Sequence, residues 1–104
     1  MVKWIITHTN SDNGYVEFKL FYGTEIEVRQ LLKSMAVKSD IITNFTEEVD
    51  RDETDIYEEI LYMINDQGFD PENNTYTVMV SDQYGECDEV FTAIELSKIK
   101  TVQK

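Results

Sequence analysis

The chain has 104 residues, 41% hydrophobic and 12% aromatic, and a formal charge of −12 from 21 acids against nine bases. That apolar content supports a folded core despite the acidity, and the length fits a single modest domain over residues 1–104. The charge excludes nucleic acid and anionic membrane as direct ligands, because counterion release needs lysine and arginine, and it favours a basic protein partner.

The opening MVKWIITHT reads as neither a signal peptide nor a membrane span, which needs about 18–20 apolar residues. A lone cysteine, Cys87, rules out an internal disulfide and fits the reducing cytoplasm.

Residues 2–9 are β-branched and aromatic-rich, with Val2, Trp4 and Ile6 alternating against Lys3, Ile5 and Thr7. Residues 15–22 alternate too, with Val16, Phe18, Leu20 and Tyr22 on one face and Glu17 and Lys19 on the other. The turn cluster Asn10–Gly14 between them makes this a β-hairpin. Thr24 and Glu27 form a capping box that opens a helix over 24–37. Val28, Leu31, Leu32 and Met35 make its apolar stripe, with Ala36 at the edge, while Arg29, Gln30, Lys33 and Ser34 face water. Residues 40–46, DIITNFT, are a short β-prone run, either a third strand or an extended link.

A second helix is predicted over about 52–67, with Asp52 as N-cap and Gly68 just past the end. Its apolar sector holds Ile56, Tyr57, Ile60, Leu61, Met63 and Ile64; Asp55, Glu58, Glu59, Tyr62 and Asp66 lie opposite. Thr75–Ser81 and Cys87–Leu96 form a second hairpin around Asp82–Glu86, and residues 97–104 either extend the last strand or fray. The fold class is α+β: an antiparallel sheet of four or five strands with two helices on one face, in the order β-β-α-(β)-α-β-β.

Residues 47–72 hold eleven of the acids and one base, Arg51. First-turn acids complement the helix dipole, but Glu47, Glu48 and Asp50 precede the helix and Glu58 and Glu59 lie beyond its first turn. With no lysine four residues on, the face repels itself. Along a helix of about 24 Å the acids recur every ~4 Å, near the ~3.4 Å spacing of phosphates on one DNA strand. The partner-binding candidates are Glu47, Glu48, Asp50, Asp52, Asp55, Glu58, Glu59, Tyr62 and Asp66, the acids standing in for phosphate.

Other chemistry is sparse. His8 and Cys87 are the candidates for a zinc site, without Cys-x-x-Cys or paired-His spacing, and no loop fits the EF-hand pattern. Neither a glycine-rich phosphate loop nor a nucleophile motif occurs, and Glu86 and Asp88 flank Cys87 and should raise its thiol pKa. No enzyme, cofactor or metal is therefore expected. Tyr84, at a hairpin tip, reads as a turn tyrosine packed over a neighbouring strand.

In its size, acidity, α+β pattern and lack of catalytic motifs, the chain resembles small inhibitors from phages and mobile elements, the anti-CRISPR and DNA-mimic proteins. That resemblance implies a cytoplasmic, non-enzymatic inhibitor, monomer or homodimer, whose acidic surface fills the basic groove of a nuclease or CRISPR effector. The alternative is a homo-oligomerising structural or adaptor module that uses a sheet edge or face, with the acids only solubilising. With helices on one face of the sheet, register decides whether the other face exposes Trp4 or Phe18.

Overall fold

The computed structural model describes residues 2–48, 53–82 and 84–98, apart from the side chains at 48 and 53–57. Two antiparallel strands, β1 (Val2–Asn10) and β2 (Tyr15–Gly23), open the fold. Three helices follow, α1 (Glu25–Val37), α2 (Asp40–Glu48) and α3 (Glu53–Met63). Three strands complete it, β3 (Ile64–Asp70), β4 (Thr75–Ser81) and β5 (Asp88–Glu95), before a short 3₁₀ turn over Leu96–Lys98. Among the described residues the strands form one sheet in the order β2-β1-β5-β4-β3, and each neighbouring pair is antiparallel. The two hairpins thus meet through β1 and β5 at the centre of the sheet.

The predicted hairpins and first helix are present. Gly14 adopts φ +69° in the first turn, and Asn10 and Asn13 accept the amides of Asp12 and Tyr15, each at 2.9 Å. That turn pairs Asn10 with Tyr15 and hence Trp4 with Phe21. The Thr24 hydroxyl accepts the Glu27 amide at 3.2 Å while the Glu27 carboxylate accepts the Thr24 amide at 3.0 Å. Val28, Leu32 and Ala36 of α1 are buried, each of the larger two contributing roughly 1.5–3 kcal/mol by leaving water. They pack with Trp4, Ile6, Tyr76, Val78, Val80, Phe91 and Ala93 from one face of the sheet. Arg29, expected in water, lies over the Tyr76 ring at 5.0 Å.

Two elements differ from expectation. Residues 40–46 are neither strand nor extended link but most of α2. Ile41, Ile42 and Phe45 have the spacing of a helical face, and all three are buried. The Ser39 carbonyl accepts the Thr43 amide at 2.9 Å, and the Ser39 hydroxyl lies 3.4 Å from the Ile42 amide. The β-branched run Ile41-Ile42-Thr43 misleads because tertiary contacts override propensity. The second helix ends at Met63, not 67, and Ile64 begins β3 beside Val80. Asn65 and Asp66 are weak helix formers. Gly68 is no helix stop: at φ +79° it sits in a bulge where Gln67 and Gly68 oppose Thr77.

A buried carboxylate fixes α2 on the sheet. Glu89, on β5, is fully buried. One oxygen lies 3.0 Å from His8 Nε2 on β1, and the other accepts the Ile41 amide of α2 at 3.2 Å. His8 stacks on Phe91 with ring centroids 4.3 Å apart. One side chain therefore joins two central strands to the start of a helix. Glu89→Ala should cost about 3 kcal/mol, since it strands the histidine and an amide in a dry site. Glu89→Gln, which keeps an acceptor and a donor, should cost about 1 kcal/mol; urea denaturation of both variants checks this.

Candidate functional site

Where they are described, the candidate acids stand on three different elements, α2, α3 and β3. Glu47 is exposed on α2, and Glu58 is exposed on α3. Glu59 is half-buried and has an interaction partner of its own. Glu48 ends α2 and Asp55 lies in α3, but their side chains are outside the described residues, as are Asp50 and Asp52 entirely. The 16-residue helix expected over 52–67 is shortened to α3, and the ladder of acids loses Asp66 to β3.

Asp66 also leaves the predicted face. It stands on β3, where its carboxylate accepts the Tyr76 hydroxyl at 2.6 Å and lies 3.3 Å from Lys33 Nζ. Its other oxygen accepts the Gly68 amide at 2.9 Å, closing the bulge. Burial pushes the Asp66 carboxyl up, but the bonds from Tyr76, Gly68 and Lys33 outweigh it and hold the pKa below the ordinary aspartate value. Burial, with the same contact to Asp66 behind it, pushes the Tyr76 hydroxyl up to about 12. Asp66 is a structural tie between α1 and the outer hairpin.

What α3 does present is Glu58, Leu61 and Tyr62, at positions i, i+3 and i+4 of one helical face. Leu61, assigned by periodicity to the buried sector, is exposed, and Tyr62 is 91% exposed. Ile60 and Met63 supply the inward contacts instead. Among the described residues, Lys19 lies 3.0 Å from Glu17 and Arg29 3.4 Å from Glu25. Among the described residues, no lysine or arginine lies within ion-pair reach of Glu47 or Glu58.

A cleft of about 200 Å³ opens where the two hairpin turns meet α2, lined by Asp12, Asn44, Phe45, Asp82, Tyr84 and Cys87 among others. Burial first, then the charges of Asp12 and Asp82, raise the Cys87 thiol above its usual value despite hydrogen bonding from Ser11 and Asp12. The expected direction holds, but the acids responsible are not the sequence neighbours Glu86 and Asp88. A thiol held protonated is a poor nucleophile at neutral pH. Tyr84 is 76% exposed, not packed over a strand. His8 is engaged with Glu89, and Cys87 donates toward Asn10 Oδ1 at 3.6 Å. Among the described residues, no three of His, Cys, Asp and Glu converge to hold a metal ion. No helix there is long and apolar enough to cross a membrane.

Among the described residues, no α-helix lies on the opposite face of the sheet. Register places Val16, Phe18, Leu20 and Tyr22 of β2 on it, opposite Thr9, Thr7, Ile5 and Lys3 of β1. Trp4 is 2% exposed with its indole N–H donating to the Gly23 carbonyl at 3.1 Å, whereas Phe18 is 70% exposed. The β2 residues on the helix side, Glu17 and Lys19, are the polar ones. The alternation of β2 is legible in sequence; its orientation is set by burying Trp4.

Comparison with protein-family models, curated proteins and solved structures gives no significant match to this chain in any of the three.

Asp66→Asn should lower stability by about 1 kcal/mol at neutral pH, allowing for solvent screening. A depressed folded-state pKa stabilises above the unfolded value of about 3.9 and ceases to as pH falls through the folded value. The gap between the two proteins should therefore close below about pH 4 in denaturation curves run across pH.

Proposed function

We propose that this chain is a non-enzymatic protein-binding inhibitor of the anti-CRISPR or DNA-mimic kind, acting in the cytoplasm. Its acidic helical side occupies a basic groove in which a nuclease or CRISPR effector holds nucleic acid. The observation that carries this reading is the α3 surface, where Tyr62 and Leu61 stand exposed beside Glu58. A merely solubilising face has no need of an exposed tyrosine and leucine at adjoining positions. An aromatic anchor flanked by acids is what a protein partner rich in arginine and lysine would grip. The charge of −12 supplies steering toward such a groove and repels competing nucleic acid. Glu47 adds a further exposed acid from α2.

The shorter α3 changes the form of the mimicry: with Asp66 drawn into β3, the described acids offer a local charged patch instead of a 16-residue ladder, which suits occlusion of a groove better than imitation of a long duplex.

Affinity capture at low salt, with elution by high salt and mass spectrometry, identifies the candidate partner. The decisive step uses that purified partner and labelled nucleic acid. The chain should displace the nucleic acid stoichiometrically, and Glu58→Lys with Tyr62→Ala should weaken displacement at least about tenfold. Both residues are exposed, so circular dichroism should show an unchanged fold. Full displacement by the double variant would rule out the α3 surface as the interface.

A further inference from the structure

The sheet has two outer strands, and they are built differently. An outer strand offers unpaired backbone N–H and C=O groups, which proteins usually blunt with bulges, proline, charges or short length. β3 carries those devices: the Gln67–Gly68 bulge, Asp66 and Asp70 on the strand, and Pro71 directly after it. β2 has none of the geometric ones. Its nine residues keep unbroken register with β1 from Tyr15 to Gly23, and no proline interrupts them. On its open side Val16, Phe18, Leu20 and Tyr22 are all exposed. Together these four side chains present on the order of 500 Å² of largely apolar surface, the size of patch that often marks a contact.

We infer that β2 is a self-association edge, pairing antiparallel with β2 of a second copy of this chain about a two-fold axis through Phe18. The sequence of the strand supplies the register. Reading outward from Phe18, Glu17 and Lys19 are the nearest neighbours and Val16 and Leu20 the next. Antiparallel pairing about Phe18 sets Glu17 against Lys19 of the second copy, and Lys19 against its Glu17. It sets Val16 against Leu20, Phe18 against Phe18 and Tyr15 against Phe21, so every side-chain pair from Tyr15 to Phe21 is matched in charge or in apolar character. Moving the axis one residue to Lys19 would oppose two lysines and place Glu17 against Phe21. Moving it to Glu17 would oppose two glutamates. The Glu17–Lys19 ion pair within the strand, at 3.0 Å, shows both side chains already on the same face, where each can reach across the new seam.

Charge also selects this surface. Two chains of −12 repel, so copies meet most readily where acids are scarce. The open face around β2 carries Lys3, Ile5, Thr7 and Thr9 from β1, then Val90, Thr92 and Ile94 from β5. Association there should strengthen as salt screens the overall repulsion. Binding through acids to a basic groove would weaken with salt, so this inference stands or falls independently of the inhibitor reading.

Sedimentation equilibrium of the full chain, from micromolar to millimolar concentration at low and high salt, tests it. The expected result is a monomer–dimer equilibrium that tightens with salt and is abolished by Phe18→Asp. Glu17→Lys and Lys19→Glu should each weaken the dimer about tenfold, and the double exchange should restore it to within about threefold. Circular dichroism verifies that each variant is folded. A wild type that stays monomeric at millimolar concentration, a dimer that survives Phe18→Asp, or a double exchange that fails to restore association would each overturn the proposal.

Discussion

The carboxylate of Glu89 sits where three elements meet, and the helical layer takes its position from it. A fully buried glutamate is costly unless both oxygens find partners, so its presence obliges His8 and the first turn of α2 to converge on it. With α2 held there, Ile41, Ile42 and Phe45 drop onto the strands, and α3 runs directly into β3. The tie is polar and directional, whereas the surrounding aliphatic contacts would tolerate sliding. It gives the second helix a defined seat that its short apolar face alone would not provide.

Legibility in the sequence followed the range of the interactions. The first hairpin, the capping box at Thr24 and Glu27, and the strand Thr75–Ser81 are written in neighbouring residues, and each stands where local rules place it. The conversion of 40–46 into a helix depends on Glu89, 48 residues from Ile41, and no local window contains that information. The conversion of 64–67 into a strand depends on β4 having an edge to fill; Ile64 faces the core whether it ends a helix or begins a strand, so periodicity could not choose. The candidate site was affected by the same error. Asp66 falls on a helical acidic face only if the helix runs one turn further than it does, and Leu61 falls in the core only if the whole apolar sector is covered. The exposure of Tyr62 was readable from the helical wheel, and that of Phe18 was reduced to a choice between two registers.

The molecule divides its surface by chemistry. Exposed acids such as Glu47 and Glu58 stand on helices that cover one face of the sheet, beside an exposed tyrosine and leucine; the other face is threonine, valine, isoleucine and phenylalanine. Its two edges divide likewise, one broken by a bulge and acids, the other straight and apolar on its open side. α3 leads into the bulged edge strand, and β2 lies at the opposite side of the sheet. The two surfaces proposed as contacts, one acidic and one apolar, thereby lie on different parts of a small chain.

The central pairing of β1 with β5 has a consequence for how the chain reaches this state. His8 and Glu89, bonded across that pair, are 81 positions apart, so the middle of the sheet joins the two most distant parts of the described strands. Closing so long a loop is entropically costly, whereas the three hairpin pairings close short ones. During synthesis the first hairpin emerges early with the inner edge of β1 unsatisfied, and it must wait for nearly all of the described chain before that edge is filled. Loss of β5 would not trim the fold at its margin. It would divide the sheet into two hairpins with no shared strand, and remove the carboxylate that seats the helix above them.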